Sequence, residues 1–150
     1  MKKIGFALVV MLLALLCAST WASAAFVEED DGGYEEKHPI DLELERRLDA
    51  DPSTAGMMEA YKQTTNDWDK LLNENYKALM QKLSKEQQDK LRSSQREWIK
   101  YRDLELAFRA SFYGGFDGTI YLMAPGMFQC SFVRDRALSL GYLLEDLENR

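Results

Sequence analysis

From Pro39 onward the apolar positions of this chain recur at spacings of three and four, and no segment alternates with a period of two. That period belongs to helices buried on one face. Ile40, Leu44 and Leu48 share such a face. Pro39 suits the first helical position, and Asp41 and Glu43 fall where the helix dipole favours negative charge. Asp51-Pro52 ends this helix and is expected to open the next, with Asp51 as cap and Pro52 as first helical residue. A second stripe runs through Met57, Tyr61, Trp68, Leu72, Tyr76, Leu79 and Leu83, with Thr64 or Thr65 filling its gap. It predicts a helix over 53–83, about 45 Å long at 1.5 Å per residue. Ser84-Lys85-Glu86-Gln87 is a capping box opening a third helix. That helix carries Leu91, Trp98, Tyr101, Glu105, Phe108 and Phe112 on one face, and Gly114-Gly115 stops it.

Residues 113–126 are rich in glycine and aromatics and read as a long loop, the kind of segment that often carries function. A last helix is expected over 127–147, with Val133, Ala137, Leu140, Leu144 and Leu147 inward. The fold class is all-α: an antiparallel bundle of three long helices plus a short N-terminal helix.

The chain before Pro39 is built differently. Lys2 and Lys3 precede a 14-residue apolar run, Ile4 to Cys17, and Ala22-Ser23-Ala24 supplies a small-x-small cleavage site. Residues 1–24 read as a secretory signal peptide, with an apolar run too short for a comfortable membrane span. Lipidation at Cys17 is disfavoured, because Leu16 precedes it where a small residue is expected. Residues 25–37 form an acidic, flexible leader, with six acids among the nine residues from Glu28 to Glu36. Residues 38–150 form one helical domain, and the expected location is the periplasm.

Loss of residues 1–24 removes two lysines and no acids from a chain of net charge −6, leaving −8. Phosphate repels such a chain, which argues against nucleic acid as partner, whereas basic partners meet it faster. One cysteine, Cys130, remains after residue 24, so no internal disulfide is expected. Its simplest reading is a small buried hydrophobe. His38 is the sole histidine, and no cluster offers a metal its usual ligands. Neither a cofactor nor a metal is expected. No Ser–His–Asp set, phosphate loop or thiolate–histidine pair is present.

Two runs stand out. Trp68-Asp69-Lys70-Leu71-Leu72-Asn73-Glu74-Asn75-Tyr76 and Gln95-Arg96-Glu97-Trp98-Ile99-Lys100-Tyr101-Arg102-Asp103 both thread polar groups close to an apolar face. Together they resemble the paired motifs of the LprI-type lysozyme inhibitors, small secreted helical bacterial proteins. The resemblance extends from about Pro39 to Leu147 and includes His38-Pro39-Ile40-Asp41 and Ser53-Thr54-Ala55-Gly56-Met57. Many of those relatives carry a cysteine pair that would fall near Arg47 and Ala60, and both cysteines are absent here.

The resemblance implies a non-enzymatic binding protein that occludes a lysozyme stoichiometrically. Lysozymes are commonly basic, which agrees with the acidic charge. The motif residues Trp68, Asp69, Leu72, Asn73, Tyr76, Gln95, Arg96, Trp98, Tyr101, Arg102 and Asp103 read as structural. Asp69, Asn73, Arg96, Arg102 and Asp103 are expected to form a buried network between the long helices. The aromatics at helical spacing read as core. Partner contacts are assigned to His38, Phe116, Asp117 and Tyr121, together with the acidic leader. Two other readings stay open. One is an envelope-stress or scaffold protein with a different periplasmic partner. The other is a glycan hydrolase, for which Asp69 and Asp103 are the nominated carboxylates.

Overall fold

The computed structural model describes residues 37–149, so the segments read as a signal peptide and, except for Lys37, as an acidic leader lie outside the described residues. Four helices follow in order: α1 (Pro39–Ala50), α2 (Thr54–Lys82), α3 (Lys85–Tyr113) and α4 (Thr119–Glu148). The fold is all-α, and no strand occurs among the described residues.

Side-chain caps set most of the helix starts. His38 caps α1, its Nδ1 accepting the Ile40 N–H at 3.2 Å, and Pro39 takes the first helical position. At the next junction the cap is Ser53, not Asp51. The Ser53 hydroxyl accepts the Gly56 N–H at 3.0 Å, while the Asp51 carboxylate accepts the Ser53 N–H at 3.0 Å. Pro52 therefore lies in the connection, outside the helix. Gly56 is needed there because a Cβ would stand 2.5 Å from the Asp51 carbonyl oxygen. The capping box of α3 forms as expected, with Ser84 and Gln87 satisfying each other's backbone N–H groups.

The long loop expected over 113–126 is not one. The turn between α3 and α4 is confined to residues 114–118, and α4 runs through Pro125. A proline inside a helix gives up one backbone hydrogen bond and costs about 3 kcal/mol in isolation. Burial of Met123 and Ala124 just before it and Cys130 just after it offsets that cost. Local breaker residues were thus outweighed by tertiary packing.

Successive long helices run antiparallel, so α2 and α4 come to lie parallel. The Asn75 amide of α2 donates to the Ala137 carbonyl of α4 at 3.0 Å, and Lys82 meets Glu148 at 2.6 Å further along both. This pair forms most of the core, with Trp68, Leu72 and Leu79 facing Cys130, Val133, Ala137 and Leu140. Full burial of a side chain such as Leu79 or Leu140 contributes roughly 1.5–3 kcal/mol. α1 packs on α2, and α3 packs on α4.

α3 departs from expectation. No residue of it is fully buried. Leu91 and Trp98 are half-buried against the core, whereas Tyr101, Phe108 and Phe112, expected inside, are exposed. The apolar stripe read from the sequence is wider than the one neighbour that covers it.

Candidate functional site

Two places gather the residues of interest, and they lie at different levels of the bundle. The first is the junction of α1, α2 and α4. Arg134 of α4 grips Asp41 of α1 through both carboxylate oxygens, at 2.8 to 3.0 Å. Its guanidinium also lies 5.5 Å from the Trp68 ring centre. Its hydrogen bonds to Asp41 raise the Arg134 pKa above its ordinary value. Trp68 is fully buried, and the His38 ring packs on it with centroids 4.5 Å apart. On the other flank Arg47 donates to the Thr64 hydroxyl at 3.0 Å and pairs with Asp67 at 2.8 Å. Polar contacts thus join α1 to α2 beside Ala60, the region in which the family resemblance places a cysteine pair.

Cys130 sits in this core. Burial pushes its thiol pKa up, opposed by a hydrogen bond with Thr65, so the unreactive protonated form is favoured. His38 lines a shallow groove of about 310 Å³ with Leu71, Asn75, Leu138, Gly141 and Tyr142. Its Nδ1 is taken by the helix cap and its face by Trp68, which ties most of the side chain to the fold.

The second place is the turn from α3 to α4. Gly118 precedes α4 with a φ of 121°, a backbone state that L side chains rarely adopt. This conformation lets α4 start at the next residue, Thr119. Phe116 and Tyr121 then meet, with ring centroids 5.0 Å apart, and Tyr113 stacks on both Tyr121 and Phe128 at 5.9 Å. Arg109 closes the cluster from above, 4.1 Å from the Phe128 centroid and paired with Glu105 at 2.8 Å. Tyr113, Ile120, Tyr121, Ala124, Met127, Phe128 and Ser131 enclose an apolar recess of about 420 Å³. Asp117 is exposed at the tip.

Of the residues assigned to partner contact, Phe116, Asp117 and Tyr121 therefore come together, and His38 does not join them. His38 is level with Leu138 to Tyr142 of α4, roughly 25–30 Å from Tyr121 along the helix at 1.5 Å per residue.

The polar motif residues do not form the buried network expected of them. Asn73 donates to the Asp69 carbonyl and carboxylate within α2, at 2.7 and 3.0 Å. Arg96 donates to Ser93, and Arg102 to the adjacent Asp103, within α3. Asp69, Asn73, Arg96 and Asp103 are exposed. Helical spacing near an apolar face put them at its rim, where solvent satisfies their charge more cheaply than burial would. Asp69 and Asp103 each bond within their own helix and do not converge on a common site.

The polar contacts that do cross between helices use arginines of α4 that the sequence reading passed over. Arg136 donates to Gln95 at 2.9 Å and Ser94 at 3.3 Å, and lies 5.9 Å from the Trp98 ring centre, which Arg102 approaches to 5.2 Å. Burial pushes the Arg136 pKa below its ordinary value. Arg134 and Arg136 are the only cations of α4, and that isolation in an apolar helix was the available signal. Among the described residues no group of three or more His, Cys, Asp or Glu is placed to hold a metal. The geometry offers aromatic surface and shaped recesses, with Arg134 and Arg136 committed to holding helices together.

The sequence model of the family described as "Lysozyme inhibitor LprI" matches residues 46–140, from within α1 to within α4 and across both motif runs. The chain belongs to the LprI lysozyme-inhibitor family. The solved structure of an uncharacterised protein from Burkholderia thailandensis is similar to it, with a TM-score of 0.65 and 27% identity. That match covers 69% of this chain and 52% of the other, so the LprI chain spans about half the length of its structural neighbour. No curated protein matches the chain.

Proposed function

We propose that this LprI-family protein is exported to the periplasm and inhibits a lysozyme by stoichiometric occlusion, without chemistry of its own. The observation that carries the reading is the family match over residues 46–140. Three features support it. The N-terminal segment has the composition of a cleavable export signal. The chain that follows residue 24 has a net charge of −8, which favours encounter with a basic enzyme. The turn at Phe116, Asp117 and Tyr121 presents aromatic side chains beside a carboxylate, the chemistry suited to a mixed apolar and polyhydroxylated cleft.

The contact surface in this reading is the α3–α4 turn, with the acidic leader assisting. His38 is removed from the contact set because its ring and Nδ1 serve α1 and Trp68. The test is lysozyme turnover of cell-wall substrate titrated with residues 25–150, at low and at moderate salt. Saturation near one-to-one that survives moderate salt supports occlusion. Inhibition that vanishes with salt reveals only nonspecific charge pairing. No inhibition of any lysozyme class overturns the reading.

A further inference from the structure

α3 turns one line of mixed apolar and charged side chains to the one helix it packs against extensively, and carries an apolar stripe beside it. Leu91, Trp98 and Arg109 turn toward α4, meeting Arg136, Phe128 and the core. Tyr101, Leu104, Phe108 and Phe112 form a second line at spacings of three and four, with Tyr101 at its edge resting against Phe132 of α4, and Phe116 carries the line into the turn. At about 100° per residue this line lies roughly 90° round the helix from the first. A right angle between two contact lines is what a helix in a four-helix bundle presents to its two neighbours. Among the described residues α4 is the only helix against which α3 packs extensively.

This apolar stripe is large and continuous. Its five side chains are between 46% and 72% exposed. The rings of Phe108, Phe112 and Phe116 are linked by centroid distances of 6.0 and 5.2 Å. Given the 150–250 Å² that an aromatic side chain can bury, the five leave roughly 500 Å² of apolar surface in water. That is within the roughly 300–600 Å² of the largest patch on a typical monomer, a patch that is often functional. A homodimer face is about 65% apolar, so this stripe corresponds to a face of roughly 800 Å² per protomer. That is about what one partner contributes to a stable interface.

We infer that this face of α3 is a self-association surface, covered by the same stripe of a second copy of the chain in a two-fold arrangement. The charge distribution favours this occupant. Residues 106–116 carry a single charge, Arg109, and it is already paired with Glu105 and set over Phe128. Two acidic chains thus meet where neither presents unpaired charge. A two-fold contact needs a patch that complements itself, and a neutral stripe of Leu, Phe and Tyr does so. The inference does not rest on a lysozyme as partner, and because both surfaces include Phe116, a second copy and a lysozyme would compete for it.

Sedimentation equilibrium of residues 25–150 in the micromolar range tests it, alongside Leu104→Glu with Phe108→Glu. The expected result is a dimer for the parent chain and a monomer with unchanged helical circular dichroism for the double variant. A parent chain that stays monomeric overturns the inference, as does a double variant that stays dimeric. If the double variant loses helicity, Leu104→Ser decides, since that side chain is the most exposed of the five. A folded Leu104→Ser chain that dimerises at least tenfold more weakly supports the face, and unchanged dimerisation overturns it.

Discussion

Arg134 and Asp41 stand 93 residues apart in sequence and share a bidentate ion pair that fastens the first helix to the last. The pair is only partly screened by solvent, and the arginine also covers the face of Trp68, so removing either partner strands a charge beside a buried ring. In a double-mutant cycle with Asp41→Asn and Arg134→Gln, we expect a coupling energy of about 1–2 kcal/mol from urea unfolding. Coupling indistinguishable from zero would show that this ion pair does not hold α1 in place.

α1 should also be the acid-sensitive part of the fold. A hydrogen bond from Arg46, reinforced by the charges of Arg46 and Arg47, lowers the Glu43 pKa from 4.5 to about 2. Hydrogen bonds from Ser53 and from Gln63 lower Asp51 and Glu59 in the same direction. A carboxylate whose pKa is depressed by folding stabilises the native state above its unfolded pKa and loses that contribution as pH falls through the folded value. For Glu43 the window runs from about 4.5 down to about 2. Solvent still reaches this half-buried carboxylate, so the effect is modest, and the urea midpoint should decline across that window. Glu43→Gln should flatten the slope, and an unchanged slope would remove Glu43 from the account.

How far the sequence could be read follows from which forces decide each element. The helix starts at Pro39 and Lys85 were legible because capping is local chemistry, contained within four residues at His38-Pro39 and at Ser84 to Gln87. The α2 stripe was legible because α2 packs on both α1 and α4. The start of α4 was not, because Pro125 and Gly126 signal a break while the opposing packing of Met123 and Ala124 depends on distant residues. The exposure of Phe108 and Phe112 was illegible for a related reason: a stripe states what a helix can bury, not whether a neighbour arrives. The polar motif residues were misplaced because helical spacing does not separate the rim of a buried face from its centre. Arg134 and Arg136 act across tertiary contacts that no local pattern encodes.

Gly118 fixes how the aromatic turn is presented. Its φ of 121° with a ψ of 146° is open to glycine and strained for any L side chain, so Gly118→Ala should destabilise the protein by about 1–3 kcal/mol. The space itself is available, since the nearest atom to a Cβ there is a Tyr121 ring carbon at 3.7 Å. A loss within this range should appear in thermal unfolding together with a changed near-ultraviolet circular dichroism signal from the Tyr113, Phe116 and Tyr121 cluster. Unchanged stability would mean that the turn adopts another conformation in solution.

The motif carboxylates offer the sharpest separation between a binding protein and an enzyme. Asp69 and Asp103 are exposed, and each bonds within its own helix, Asp69 to Asn73 and Asp103 to Arg102. Surface groups of this kind are usually worth less than about 0.5 kcal/mol, so Asp69→Ala with Asp103→Ala should fold with nearly unchanged stability. Lysozyme inhibition, if it runs through the turn at Phe116 and Tyr121, should be preserved in the same double variant and lost in Phe116→Ala with Tyr121→Ala. The opposite pattern, with inhibition lost on removing the carboxylates and kept on removing the aromatics, would move the contact surface to the outer faces of α2 and α3. Turnover of cell-wall glycan by the parent chain that disappears in the carboxylate variant would overturn the binding reading altogether, because two exposed acids would then be performing chemistry.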